Sequence, residues 1–313
     1  MEKKLDANKA QVKVIEHPIH MDQFGKTFLD IPYAAQSETQ KLDIILPKSG
    51  EGPYPVIMVV HGGGWKYGFK RSHVLESVFK ISSQGYAIVS IDYRLSREAL
   101  WPAQVYDVKA AVRFIRKNGE KYNLRTDKIG CWGNSAGAHI LAVAASTNGT
   151  HEIEDLSMGN EEVSADLDMA VFWYAPVDLY DAQEQTGRDD SELNQVMGYD
   201  VLSRPREESD IASATAHVNQ HFPKTLLQAG TMDALAPLAQ SEALYEKVKK
   251  VCGEERITLE VFEGARHGDP VFKANDNINH CLDFVDEYFE MDREKYPRTG
   301  LPEITWSDEV YPQ

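Results

Sequence analysis

The feature that most constrains the fold is a rhythm in which short apolar runs alternate with amphipathic helical patterns from about residue 40 onward. Val56-Ile57-Met58-Val59-Val60 and Ala87-Ile88-Val89-Ser90-Ile91 are apolar on both faces. That pattern suits a central strand of a parallel sheet, not a strand with one wet face. Residues 41–46 read as a strand that stops at Pro47, and residues 128–132, 169–174, 225–228 and 257–262 predict four more. Between them, residues 70–83 predict a helix. Val105, Val108, Val112 and Ile115 share one helical face, as do Ser241, Tyr245, Val248 and Cys252, and Ile278, Cys281, Val285 and Phe289. Strand–helix alternation of this kind predicts an α/β fold: a mostly parallel central sheet flanked by helices on both faces, with right-handed crossovers.

Two regions fall outside the rhythm. Residues 1–30 carry little pattern and are expected to form an N-terminal extension to a domain spanning 31–291. Residues 180–222 are polar, rich in Asp, Glu, Gln and Ser, and read either as a small cap or lid over the end of the sheet or as a plain surface excursion. Residues 292–313 read as a C-terminal tail packed on the surface or partly ordered.

The net charge of −16, from 33 basic and 49 acidic residues, argues against nucleic acid or an anionic membrane as partner, since both want a basic patch. The N-terminal MEKKLDANKAQVKV has charge but no apolar core, which argues against a secretory signal. No apolar stretch approaches the ~20 residues of a membrane span. Cys131, Cys252 and Cys281 are far apart, odd in number and set in apolar or amphipathic runs, as expected of reduced thiols. Together these predict a cytoplasmic protein.

The chemistry concentrates in four short segments. Gly133-Asn134-Ser135-Ala136-Gly137 follows a predicted strand and precedes the helical run 138–145. Strand, G-x-S-x-G, helix is the context of a nucleophile elbow, in which a tight turn exposes the serine hydroxyl. His61-Gly62-Gly63-Gly64-Trp65 directly follows the apolar run 56–60. Three successive glycines cost chain entropy and suit a loop whose backbone must approach something closely. The amides of Gly63 and Gly64, with that of Ala136, are candidate donors to an oxyanion, while His61 reads as a brace for the loop. Asp233, in Gly230-Thr231-Met232-Asp233-Ala234, and His267, in Gly264-Ala265-Arg266-His267-Gly268, each follow a predicted strand. Open α/β sheets place their sites at those ends. Alone, Asp233 could be a helix N-cap and His267 a surface residue. In the order Ser135, Asp233, His267 they make a candidate catalytic triad.

With Asp92-Tyr93-Arg94-Leu95 and Trp101-Pro102-Ala103 through Asp107 added, these segments resemble the motif set of the α/β-hydrolase carboxylesterases. The similarity is greatest to the bifunctional acetylxylan/feruloyl esterase-like (BD-FAE-like) group, with the hormone-sensitive-lipase-like esterases nearby, and covers roughly residues 28–290. The resemblance implies Ser135 as nucleophile, His267 as base, Asp233 as acid, and an oxyanion hole at Gly63, Gly64 and Ala136. It departs at Ala138, where that group often has a second glycine, and at 180–222, which has no clear counterpart.

The expected reaction is acyl transfer through an acyl-enzyme, with no metal or organic cofactor. The resemblance implies a small-molecule ester as partner, acetyl-type above all, with a sugar or other polyol as one open choice of carrier, and a homo-oligomer is left open. Trp65, Tyr67 and Tyr93 are candidate substrate-binding residues; with Trp101, Trp173 and Tyr174 they lie near predicted strand ends, where each could equally be core. An amide hydrolase on the same triad is the alternative enzyme, and a small-molecule receptor on the same scaffold the alternative from another class. His17-x-x-His20 has metal-like spacing without a third ligand, and the acidic stretch from Glu152 to Glu162 reads as a solvated loop.

Overall fold

The computed structural model describes residues 16–187 and 192–310 of the chain. Its frame is one eight-stranded sheet, formed by β1 (Thr27–Pro32), β2 (Lys41–Ile45), β3 (Tyr54–Val60), β4 (Ala87–Ile91), β5 (Leu124–Asn134), β6 (Met169–Trp173), β7 (Lys224–Gly230) and β8 (Ile257–Phe262), in the spatial order β1-β2-β4-β3-β5-β6-β7-β8. From β4 to β8 neighbouring strands are parallel, whereas β1 pairs antiparallel with β2 and β2 antiparallel with β4. Parallel neighbours need crossovers, which helices supply. The connections carry α1 (Glu76–Phe79), α2 (Ala103–Asn118), α3 (Ala136–Ser146), α4 (Leu179–Thr186), α5 (Glu192–Met197), α6 (Ala214–His217) and α7 (Leu238–Cys252), and α8 (Pro270–Lys273) and α9 (Asn275–Phe289) follow the last strand.

The pleat of β3 shows how the core divides. Val56, Met58 and Val60 belong to one apolar cluster, with α2, α3 and α7, while Ile57 and Val59 belong to the other, with α1 and α9. All seven residues of β3 are buried. Burying each such side chain contributes about 1.5–3 kcal/mol, so the most apolar run lies at the centre of the sheet.

Three elements differ from the sequence expectations. The sheet begins at Thr27, inside the segment expected to be an extension; β1 is a half-exposed edge strand without a continuous apolar face. The helix expected over 70–83 is broken into a 3₁₀ turn (His73–Leu75), α1 and a second 3₁₀ turn (Lys80–Gln84), ending at Gly85 with φ 92°. The described residues of 180–222 do not stand apart from the core: Leu193, Val196, Met197, Val201, Ala212 and Ala214 are all buried in the α2/α3 cluster.

The tail runs back over the start of the described chain. Ile19 bridges to Trp306 and Pro18 to Ser72, with Ile304 buried beneath. His17 and His20 are engaged there, by the Glu309 carbonyl and the Thr305 hydroxyl, and no group of His, Cys, Asp or Glu among the described residues could hold a metal ion. No described helix is long and apolar enough to cross a membrane.

Helix α3 crosses the end of β3 at very close range. A Cβ on Gly137 would lie 2.2 Å from the Val60 carbonyl oxygen and 2.5 Å from that of His61, both backbone atoms. Gly137→Ala is therefore expected to destabilise the protein by at least about 1–3 kcal/mol, because the helix must retract. Urea denaturation measures this, and an unchanged midpoint would contradict the packing.

Candidate active site

The C-terminal ends of β3, β5, β7 and β8 converge on Ser135. That residue caps α3 at φ 52° and ψ −125°, outside both helix and strand. A non-glycine residue at positive φ is costly, and the elbow is held from both sides. The Ser135 amide donates to the Trp173 carbonyl of β6 at 3.0 Å, and the His139 amide donates to the Ser135 carbonyl at 3.0 Å.

The structure brings Ser135, His267 and Asp233 into one line. His267 Nε2 lies 2.8 Å from Ser135 Oγ, and His267 Nδ1 lies 2.8 Å from Asp233 Oδ2. The Asp233 side chain is fully buried; its Oδ1 accepts the Leu235 and Ala236 amides, each at 2.8 Å. With one oxygen fixed by backbone, the other aims at the imidazole. An Nδ1–H donated to Asp233 leaves the Nε2 lone pair facing the serine hydroxyl. The ring of Tyr174 packs edge-on against His267, with centroids 4.7 Å apart. Burial pushes its hydroxyl up to about 12, so it stays neutral beside the array.

The glycine loop lies against the elbow. The Gly62 amide is occupied, donating to Asn134 Oδ1 at 3.1 Å. Among the described residues, the amides of Gly63 and Gly64 have no hydrogen-bond acceptor. The Ala136 amide, in the first turn of α3, has no intrahelical acceptor. Gly63 and Gly64 take φ 109° and 60°, and a Cβ on Gly63 would lie 2.3 Å from the Tyr67 carbonyl oxygen. Gly63 thus requires glycine, and a side chain at Gly64 would be strained.

The aromatic candidates need correction. Trp65 is only 5% exposed and donates its indole N–H to His139 Nδ1 at 3.1 Å. Tyr93 is wholly buried, stacks on His61 with centroids 4.4 Å apart and donates its hydroxyl to the His61 carbonyl at 3.1 Å. These two rings brace the glycine loop from behind. Of the three, Tyr67 alone keeps partial exposure, with its amide bonded to the Gly63 carbonyl at 2.9 Å. His61 is itself buried, its Nδ1–H donating to the Gly62 carbonyl at 2.8 Å, and burial lowers its proton affinity. The segments 92–95 and 101–107 act in the same way. Arg94 pairs with the fully buried Asp107, and Asp92 takes the Lys70 ammonium at 2.6 Å.

Sequence reasoning missed Asn134, the variable residue before the serine. Its Oδ1 holds Gly62 and its Nδ2 donates to the Tyr174 hydroxyl at 3.3 Å, so one side chain ties the elbow to both neighbours. Its place inside the five-residue motif was the available signal.

The BD-FAE family model matches residues 42–248. Esterase LipC of Mycobacterium tuberculosis is 28% identical over 218 residues, covering 69% of this chain and 53% of LipC. The chain spans about half the length of the curated relatives it matches. Among solved structures, a truncated form of a carbohydrate esterase from gut microbiota is 28% identical with a TM-score of 0.77, covering 88% of this chain and 100% of that one. A bifunctional GH43-CE protein of Bacteroides eggerthii is 28% identical with a TM-score of 0.73, covering 84% of this chain and 35% of that one. The fold is that of the α/β hydrolases.

Asn134→Ala removes both tethers and leaves the buried Gly62 N–H without an acceptor. A loss of about 1–3 kcal/mol is expected, read from chemical denaturation. No loss would mean that the loop is held by Tyr93 and Trp65 alone.

Proposed function

The chain belongs to the BD-FAE family, and from that premise we propose that it is a serine ester hydrolase of short acyl esters, with Ser135 as nucleophile, His267 as general base and Asp233 as the acid that orients it. The observation that carries the reading is the unbroken Asp233–His267–Ser135 relay, both links at 2.8 Å. A carbohydrate as the alcohol is supported by the relative named a carbohydrate esterase, and acetyl is the acyl group this reading favours.

In the first half-reaction His267 Nε2 takes the proton from Ser135 Oγ as the oxygen attacks the ester carbonyl. Asp233 stabilises the imidazolium that forms. Negative charge develops on the carbonyl oxygen, where the amides of Gly63, Gly64 and Ala136 donate to it. Collapse of the tetrahedral intermediate breaks the ester bond, and His267 returns the proton to the departing alkoxide. The acyl group then sits on Ser135. In the second half-reaction water attacks that ester, His267 again removing the proton, and acid leaves with the serine restored.

Hydrolysis of p-nitrophenyl acetate tests the reading. Ser135→Ala is expected to lower kcat at least ~10³-fold, and Asp233→Asn roughly 10⁴-fold through the wrong imidazole tautomer, with thermal unfolding unchanged for the serine variant. The wild-type rate is expected to fall as the acyl chain lengthens. Near-wild-type turnover by Ser135→Ala would sink the assignment, and a rate that rises with chain length would overturn the short-acyl preference.

A further inference from the structure

Behind the glycine loop lies a histidine that the proposed mechanism does not use. His139 is on α3, one turn after Ser135, and is wholly buried. Its two ring nitrogens face two other parts of the chain. Nδ1 lies 3.1 Å from the indole Nε1 of Trp65, the residue that follows the three glycines. Nε2 lies 2.8 Å from the carbonyl oxygen of Ala212, in the segment that follows α5.

These partners leave one protonation state. An indole N–H can only donate and a carbonyl can only accept. The imidazole must therefore carry its proton on Nε2 and keep a lone pair on Nδ1. Burial supports the neutral form by pushing the His139 imidazole down to about 4.

Trp65 has a reason to need that lone pair. It sits at φ 57°, a conformation unfavourable for a tryptophan, and directly follows Gly64. Three contacts hold it: the Nδ1 bond, an edge-on ring contact with His139 at 5.2 Å, and a bond from the Ser96 amide to its carbonyl at 2.7 Å. The far side of His139 is equally tied. Trp101 packs on the imidazole at 4.8 Å, donates its indole N–H to the Ile211 carbonyl at 2.9 Å, and donates its amide to the Val196 carbonyl at 2.9 Å.

We propose that His139 is a positioning residue that couples the seating of the segment from α5 to α6 to the geometry of the glycine loop: the Ala212 carbonyl holds the imidazole proton on Nε2, and the Nδ1 lone pair thus left free holds Trp65, and with it the Gly63 and Gly64 amides. The segment from α5 to α6 is then part of the catalytic frame. The consequence for rate rests on the ester-hydrolase reading; the tautomer and its two bonds do not.

Two substitutions separate the two nitrogens. His139→Asn places an amide oxygen near the Nδ1 position and keeps an acceptor for Trp65. His139→Gln places an amide nitrogen near the Nε2 position and keeps the bond to Ala212, but offers Trp65 nothing. With short acyl esters, kcat is expected to fall ~10-fold in the Gln variant and to stay within ~3-fold in the Asn variant, a fraction of the ~10²–10³ lost with a whole oxyanion donor. KM is expected to change less than ~2-fold in both, since the amides act on charge present only in the transition state. Rates are referred to active sites titrated with a phosphonate ester, so a smaller folded fraction does not enter them. Equal losses in the two variants, or a loss confined to KM, would overturn the proposal. Nitrogen-15 spectra of histidine-labelled wild-type protein, assigned by the signal missing from the Asn variant, read the tautomer without any turnover. A proton on Nε2 supports the proposal, and one on Nδ1 overturns it. If the wild-type protein hydrolyses no ester, the ester reading fails while the spectra still decide how His139 is bonded.

Discussion

Everything at the candidate site depends on a backbone conformation that a serine rarely adopts. At φ 52° and ψ −125°, Ser135 stands between the last residue of β5 and the first of α3. Such a conformation costs about 1–3 kcal/mol, and the neighbours must hold it. Small residues let the strand and helix close around it: a Cβ on Gly133 would lie 2.8 Å from the Ala138 amide, and one on Gly137 still closer to the Val60 and His61 carbonyls. The turn lifts the hydroxyl towards His267 and leaves the Ala136 amide at a helix start, where the backbone favours negative charge.

The second requirement is rigidity in a loop made of three glycines. Glycine gives the loop its positive φ angles, at an entropic cost. The surrounding residues remove the freedom that glycine brings. Asn134 holds Gly62 from the elbow, Tyr93 holds the His61 carbonyl from beneath, and Trp65 closes the far end against His139. The ion pairs around Asp92 and Asp107 fix the chain that carries Tyr93. The motifs flanking the site thus form the frame that holds in place the Gly63 and Gly64 amides, which have no acceptor among the described residues.

Much of this was legible in the sequence, for identifiable reasons. The strands β3 and β4 are apolar on both faces, so their place at the middle of the sheet could be read directly. The glycine loop, Ser135, Asp233 and His267 each follow a strand, and the parallel sheet gathers the ends of those strands. What stayed hidden depends on direction. Trp65 and Tyr93 sit at strand ends, where an aromatic ring can face a ligand or the core, and only packing decides between them. Strand β1 lies half exposed at an edge and has no continuous apolar run. His139 lies on a helix buried all round, so no periodicity marks it out, and its partners are 73 and 74 residues away in the chain.

The central claim is that Ser135 is the nucleophile of an acyl-transfer site, and covalent trapping tests it most directly. The wild-type protein would be treated with a p-nitrophenyl alkylphosphonate, which leaves a stable tetrahedral adduct on an activated serine. Intact mass would then be measured and the modified peptide sequenced. One phosphonyl group per chain, mapped to Ser135, is the predicted result. A chain that stays unmodified, or an adduct on another residue, would contradict the account.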